Sequence, residues 1–165
     1  MSLTILPARR EDVPLILEFI RGLATYEKLS HECEATEEQL ARTLFPADGS
    51  APAAHCILGY IDDAPAGFAL YFHNYSTFLA RPGLYLEDLF VVPAHRGRGL
   101  GKALLLHLAK LANARGCGRM EWAVLDWNQP AIDFYESLGA RRMREWQICR
   151  LTGPSLAQYA GGGKP

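Results

Sequence analysis

The order of hydrophobic patterns along this chain predicts an α/β domain with a mixed β-sheet flanked by helices. Short runs rich in β-branched, aromatic and aliphatic residues alternate with segments whose apolar residues recur at helical spacing. A strand, a glycine-rich turn and a helix follow one another at residues 84–112, LYLEDLFVVPAHRGRGLGKALLLHLAKLA. At 165 residues the chain has the length of one domain. We expect this domain over residues 1–152 and a frayed tail over residues 153–165, which end in GGGKP.

The N-terminal part of the chain predicts one strand followed by two helices. Residues 3–8 form a short apolar run that is typical of a strand. Two acidic residues then place negative charge in the first turn of a helix that should run to about Lys28. Apolar residues recur at helical spacing along it, namely Val13, Leu15, Ile16, Phe19, Ile20 and Leu23. Thr36 and Gln39 have the spacing of a capping box, which begins a shorter helix ending near Phe45.

The middle of the chain has a pattern typical of β-sheet. Residues 56–61 and 66–75 predict two strands, and the two aspartates that follow the first favour a turn, so a hairpin is expected. A loop over residues 76–83 leads to the strand at residues 84–92. Pro93 ends that strand because proline has no N–H to donate to a neighbouring strand.

The C-terminal part predicts two further strands on either side of a helix. Residues 119–125 form the first of these strands. Asn128 is an N-cap for the helix, Pro130 fits its first turn, and Gly139 ends it. Residues 140–151 form the last strand. The predicted order is strand, helix, helix, three strands, helix, strand, helix, strand.

The composition excludes several classes of protein. A formal net charge of -1 argues against nucleic acid as a partner, since nucleic-acid-binding proteins present a basic surface. The chain contains no apolar run long enough to cross a membrane, so we expect no membrane partner and a cytoplasmic protein. The four cysteines are scattered and have no histidine at ligand spacing, which predicts reduced thiols and no metal site.

The glycine-rich turn at residues 96–102, RGRGLGK, has the properties of an anion site. Alternating glycines permit positive φ angles and bring N–H groups to one side, where the dipole of the following helix favours negative charge. The alternative is that the turn only connects a strand to a helix. Its lysine is followed by alanine, so it is not a P-loop, and its G-x-G-x-G spacing differs from the dinucleotide fingerprint.

Two motifs together resemble the signature of the GNAT superfamily of acetyl-CoA-dependent N-acetyltransferases. The first is V-V-P followed by R-G-x-G-x-G-K-A at residues 91–103, and the second is NQPAIDFYESLGA at residues 128–140. The resemblance implies a single-domain GNAT fold in which a splayed strand pair holds acetyl-CoA. It also implies acetyl-CoA or coenzyme A as the co-substrate, with no metal.

Within the superfamily the chain is most similar to the diamine acetyltransferases. The motifs responsible are LATYEKLS at residues 23–30, NYSTF at 74–78, LYLEDLFV at 84–91 and AVLDWNQPAIDFY at 123–135. Ser76 and Phe78 stand where spermidine/spermine N1-acetyltransferases carry aspartate and tryptophan, which favours the thialysine Nε-acetyltransferase branch. The resemblance implies acetylation of a primary amine on a thialysine-like amino acid, a diamine or a polyamine. Family members are commonly homodimers, so we expect a homodimer here.

The resemblance also assigns residues to the two substrates. Those expected to bind the cofactor are Phe90, Val91, Val92, Arg96, Gly97, Arg98, Gly99, Leu100, Gly101, Lys102, Asn128, Pro130, Ala131 and Tyr135. Those expected to bind the amine are Tyr26, Glu27, Glu87, Asp88, Glu121, Trp122 and Ala123. Tyr135 is expected to be the general acid that protonates the departing thiolate.

Glu87 is the candidate general base, acting directly or through water. An alkyl amine is protonated at neutral pH and must lose a proton before it attacks the thioester. Because side chains alternate along a strand, Glu87 and Asp88 should face opposite sides of the sheet unless a bulge intervenes. The nearby acidic residues Glu32, Glu34, Glu37 and Glu38 are interpreted mostly as a solvated face.

Two other functions are compatible with the same motifs. The acceptor amine can belong to a protein or peptide, in which case the cleft should be open at both ends. Alternatively, the chain is a non-catalytic module that binds coenzyme A, although the presence of both Glu87 and Tyr135 argues against this.

Overall fold

A five-stranded mixed sheet forms the centre of the computed structural model, which describes residues 1–160. Its strands lie in sequence order: β1 Leu3–Pro7, β2 His55–Ile61, β3 Ala64–Ser76, β4 Arg81–Val91 and β5 Arg119–Trp122. The first four strands are antiparallel, and β5 runs parallel to β4. This confirms the predicted α/β class with a mixed sheet.

The residues that the structure describes also contain five α-helices: α1 Val13–Tyr26, α2 Glu37–Leu44, α3 Leu100–Ala114, α4 Gln129–Ser137 and α5 Gly153–Ala157. The capping box is confirmed, since the Thr36 hydroxyl accepts from the Gln39 N–H at 3.2 Å. Asn128 is also confirmed as the N-cap of α4, and its side-chain oxygen accepts from the N–H of Ala131.

Helices α1 and α3 cover opposite faces of the sheet. The Phe90 ring faces α1, where its centroid lies 6.3 Å from that of Phe19. Its neighbour Val91 instead faces α3, because a Cβ built on Gly101 would lie 3.7 Å from the Val91 side chain. Adjacent strand residues point to opposite faces, so each helix buries its own set of sheet residues.

The start of α3 is anchored by the buried side chain of Leu100, which is 1% exposed. Leu100 occupies the space that a side chain at Gly59 of β2 would need, since an added Cβ there would lie 2.7 Å from Leu100 Cδ1. Burying a leucine side chain contributes about 2 kcal/mol, so this contact holds the first turn of α3 against the sheet.

The chain divides into two compact units, residues 1–123 and the segment from residue 124 onward. The first unit contains the whole sheet with α1, α2 and α3, and the second contains α4 and α5. Within the first unit, Asp62 and Asp63 both have positive φ (48° and 64°) and form the tight turn between β2 and β3, which confirms the predicted hairpin.

The predicted last strand over residues 140–151 is wrong. These residues form no regular secondary structure, and nearly all of them are exposed. Their alternating apolar and polar side chains resemble a strand, but a strand also requires a neighbour for its backbone hydrogen bonds, and none of the pairings in the sheet involves them. The tail begins with α5 rather than with frayed chain, and residues 161–165 lie outside the described residues.

Candidate active site

The glycine-rich turn has the backbone conformation that its sequence predicts. Gly97 and Gly99 have φ angles of 74° and 84°, and both are exposed with no atom within 4 Å of an added Cβ. Gly101, in contrast, lies within α3 and has a helical conformation. The first N–H groups of an α-helix have no partner inside the helix, and Gly99 at the N-cap has no side chain to cap them. The turn therefore fits a phosphate-bearing ligand, with Arg98 and Lys102 exposed beside it.

Strand β4 extends past the end of β5 next to this turn, which leaves an open edge on this side of β4 within the first unit. Strand β5 pairs with β4 only over Gly83–Leu86, because β5 ends at Trp122. Strand β4 continues through Glu87 to Val91 without β5 beside it. Pairing with β5 therefore ends before Phe90, Val91 and Val92, the strand residues predicted to bind the cofactor, and the opening of the strand pair stays a prediction.

A β-bulge separates the two adjacent carboxylates of β4. Leu70 of β3 lies opposite Asp88, whereas the next β3 residue, Tyr71, lies opposite Leu86, so Glu87 is the extra residue. The simple alternation along β4 is therefore interrupted at Glu87, the exception that the sequence analysis allowed for. Glu87 is exposed and Asp88 is half-buried.

Asp88 lines a pocket of about 290 Å³ beside the end of α1. The other lining residues are Ile20, Leu23, Ala24, Glu27, Leu29, Glu32, Cys33, Glu34 and Ala35. Burial raises the pKa of Asp88 to about 6, and the Glu87 and Glu27 carboxylates add to this shift. Burial also raises the pKa of Glu27. The lining of the pocket thus combines apolar side chains with carboxylates, which suits an alkyl chain that ends in an ammonium group.

Of the residues predicted to bind the amine, Glu27 and Asp88 lie together in this pocket. Glu32 and Glu34, which the sequence indicated as part of a solvated face, also line it, although both are exposed. The signal available in the sequence was their position just after the first helix, in the segment LSHECEA. Glu37 and Glu38 belong to the first turn of α2 and line a separate pocket.

Glu121 has other partners. Its Oε2 lies 2.8 Å from Arg119 Nε and accepts a 3.0 Å hydrogen bond from Asn74 Nδ2. Its charge is therefore compensated within the sheet, and it does not line the acidic pocket, nor do its neighbours Trp122 and Ala123. Tyr85 lies opposite Glu121 in the sheet; burial raises the pKa of Tyr85, and the Glu87 and Glu121 carboxylates add to this increase.

Tyr26 lies at the end of α1 and contacts the glycine-rich turn. The guanidinium carbon of Arg96 lies 4.4 Å from the centroid of the Tyr26 ring. Arg96 Nε also donates a 3.0 Å hydrogen bond to the Val91 carbonyl oxygen. A residue predicted for the cofactor and a residue predicted for the amine are therefore in direct contact.

The second unit contains the remaining predicted residues. Asn128 is buried and uses its side-chain oxygen to cap α4, with Pro130 in the first turn. The rings of Phe134 and Tyr135 lie 5.3 Å apart, and both side chains are half-buried. Helix capping accounts for the asparagine at this position, whereas the role of Tyr135 stays a prediction from the sequence.

Within residues 1–160, no group of three or more His, Cys, Asp or Glu side chains is arranged to hold a metal ion. All four cysteines are free thiols, and burial raises the pKa of Cys56 to about 12. None of the described helices is both long and apolar enough to cross a membrane.

The first unit contains an open strand edge, a turn that fits a phosphate-bearing ligand, and an acidic pocket. Together these features suit an enzyme that moves an acyl group from a phosphate-bearing carrier to an amine. The particular family follows from comparison with known proteins. A family model described as Acetyltransferase (GNAT) family matches residues 22–140. The chain belongs to the GNAT acetyltransferase family and is an N-acetyltransferase.

Proteins named as acetyltransferases are similar to this chain over most of their length. Thialysine N-epsilon-acetyltransferase of Sus scrofa is 39% identical over 97% of this chain and 98% of its own length. L-ornithine N5-acetyltransferase NATA1 of Arabidopsis thaliana is 38% identical over 88% of this chain and 82% of its own. Among solved structures, an integron cassette protein from the mobile metagenome of V. cholerae has a TM-score of 0.79 and 29% identity over 97% of this chain and 98% of that one.

Proposed function

We propose that this protein transfers the acetyl group of acetyl-CoA to a primary amine of a small molecule that carries a cationic, lysine-like side chain. The observation that carries this proposal is the acidic pocket formed by Glu27 and Asp88 beside the end of α1. Two of its relatives are named as acetyltransferases of thialysine and of L-ornithine, and these names support an acceptor of this class. Diamines and polyamines present the same ammonium chemistry and belong to the proposal.

The glycine-rich turn and the open edge of β4 are the proposed acetyl-CoA site. Backbone N–H groups at the start of α3, together with Arg98 and Lys102, suit the phosphates. The segment of Phe90, Val91 and Val92 is the proposed contact of the pantetheine arm, although the Val92 N–H already donates to the Ala66 carbonyl oxygen of β3. Bound acetyl-CoA supplies the thioester. Backbone N–H groups on the free edge of β4 would stabilise the oxyanion that forms when the amine attacks.

The two β4 carboxylates take different parts in this proposal. Asp88, with a pKa of about 6 inside the pocket, holds the ammonium form of the acceptor. Glu87, exposed at the bulge, removes the proton directly or through water. Tyr135 is proposed as the general acid for the thiolate on the strength of the second motif in the sequence.

Several finer expectations belong to the same proposal. These are a catalytic domain over residues 1–152 with a tail over residues 153–165, a homodimer, and a cytoplasmic location. Light scattering on the purified protein measures the oligomer, and a mass of one chain would contradict the homodimer.

The decisive experiment measures release of free thiol from acetyl-CoA with a panel of acceptors. The panel contains thialysine, ornithine, lysine, spermidine and putrescine, with a lysine-containing peptide as the macromolecular alternative. We expect turnover with the small amines and little with the peptide. Faster turnover of the peptide would favour a protein acceptor, and coenzyme A binding without any turnover would favour a non-catalytic module.

The role of Tyr135 has its own test. Tyr135→Phe should lower kcat by about tenfold or more, because the ring keeps its packing and loses the hydroxyl proton. The dissociation constant for acetyl-CoA should change little. An unaltered kcat would exclude Tyr135 as the general acid.

A further inference from the structure

Arg96 is the residue through which the glycine-rich turn contacts α1. Its guanidinium carbon lies 4.4 Å from the centroid of the Tyr26 ring and 5.7 Å from that of the Phe90 ring. Its Nε donates a 3.0 Å hydrogen bond to the Val91 carbonyl oxygen. Two rings and one carbonyl therefore define both the position and the plane of the guanidinium group, which a lysine ammonium could not reproduce.

The Phe90 ring beneath this contact is itself held by α1. A Cβ built on Gly22 would lie 2.9 Å from Phe90 Cζ, so the absence of a side chain at Gly22 lets the ring approach the helix. Phe19 packs against another side of the ring, at 6.3 Å between centroids. Phe90 is 5% exposed and provides a fixed support for Arg96, whereas Tyr26 is 37% exposed and lies at the last position of α1.

The residue that follows Tyr26 is Glu27, which lines the acidic pocket. On the basis of the proposed function, we infer that Arg96 is a positioning residue for the acceptor amine, acting through Tyr26. It fixes the end of α1 against the turn and thereby fixes where Glu27 enters the pocket.

The test compares Arg96→Lys, which keeps the charge, with Tyr26→Leu and the double variant, in thiol-release assays with the best amine of the panel. Arg96→Lys should raise the KM for the amine, measured at saturating acetyl-CoA, about threefold to fivefold, with kcat changed by less than about twofold. Tyr26→Phe, which keeps the ring, should leave the effect of Arg96→Lys intact. Arg42→Lys on α2 controls for the exchange of an exposed arginine.

If Arg96 acts through Tyr26, the double variant should be no worse for the amine KM than Tyr26→Leu alone. Multiplication of the two single effects would overturn the inference, as would an unchanged amine KM in Arg96→Lys. Urea unfolding of the same single and double variants measures the coupling between Arg96 and Tyr26 without any substrate. If the two substitutions are coupled in stability but independent in their effects on the amine KM, Arg96 has only a structural role and the inference is overturned. Absence of thiol release from the unmodified enzyme with every amine would instead defeat the proposed function, and the role of Arg96 with it.

Discussion

The glycine-rich turn and the acidic pocket are built in opposite ways. The turn is one contiguous stretch whose ligand groups are backbone N–H groups, and its side chains at Arg98 and Lys102 are exposed and positive. The pocket is assembled from α1, the segment after it and β4. Its proposed ligand groups are the carboxylates of Glu27 and Asp88, whose pKa values are raised by burial. In the proposed function, a local feature binds the anionic donor and a tertiary feature binds the cationic acceptor.

This difference determines how each region should respond to change. Backbone N–H groups carry no titratable charge, so the turn should depend on conformation. The pocket brings carboxylates together in a partly buried place, which disfavours their ionised forms until a cation binds. Binding at the pocket should therefore depend on pH and on each carboxylate. The predictions below test this contrast, beginning with the largest expected effect.

The largest effect concerns stability and pH. Because the pKa of Asp88 is raised to about 6 in the folded protein, its proton is held more tightly there than in the unfolded chain. Stability from this group is present at low pH and is lost as pH rises from about 4 through about 6. Asp88→Asn should therefore stabilise the protein by up to about 3 kcal/mol at about pH 8, and by much less near pH 4.

Urea unfolding of both proteins at a series of pH values measures this difference. Glu37→Gln, an exposed carboxylate of α2 outside the acidic pocket, is the matched control and should leave the pH dependence unchanged. If the difference in unfolding free energy between Asp88→Asn and the unmodified protein stays constant with pH, burial does not disfavour the ionised form of Asp88.

The second effect concerns the amine. Asp88→Asn should lower kcat/KM for the amine about 30-fold, because the ammonium group loses a partly buried charge partner. The dissociation constant for acetyl-CoA should be unchanged, since the turn lies outside the pocket. Thiol release and calorimetric titration measure the two quantities. Equal losses for both substrates would break the contrast between the regions.

The third effect concerns the turn. Gly99→Ala should raise the dissociation constant for coenzyme A about tenfold, because the left-handed φ of 84° is strained for alanine and the N–H groups would turn away. Gly49→Ala is the matched control, since Gly49 has φ of 79° and equally open surroundings outside either region. Equal weakening of coenzyme A binding by both variants would attribute the loss to general destabilisation.

The smallest effect concerns the rim of the pocket. Glu27→Gln should raise the KM for a dibasic acceptor about threefold to fivefold, because Glu27 is less buried than Asp88 and solvent screens its charge. The kcat should be unchanged. A larger loss than that of Asp88→Asn would identify Glu27, rather than Asp88, as the principal carboxylate for the ammonium group.

Much of the fold could be predicted because its signals are local. Thr36 with Gln39, Asp62 with Asp63, Pro93 and Asn128 each act within a few residues of themselves, and the structure confirms all four. The strand predicted over residues 140–151 failed because strand formation requires a partner elsewhere in the chain, which an alternating pattern does not supply.

By itself the sequence indicated the family, through two motifs, and it predicted the conformation of the glycine-rich turn, because alternating glycines before a helix favour left-handed backbone with exposed N–H groups. Only the tertiary structure decided which of the two β4 carboxylates, Glu87 or Asp88, lines the acidic pocket. That choice depends on the bulge at Glu87, which is defined by the register of β4 against β3. It also depends on the packing of α1, which buries Asp88 beside Glu27 and brings Tyr26 against Arg96. Such contacts join residues far apart in the chain, and their geometry arises only when the helix and the sheet bury their apolar faces together.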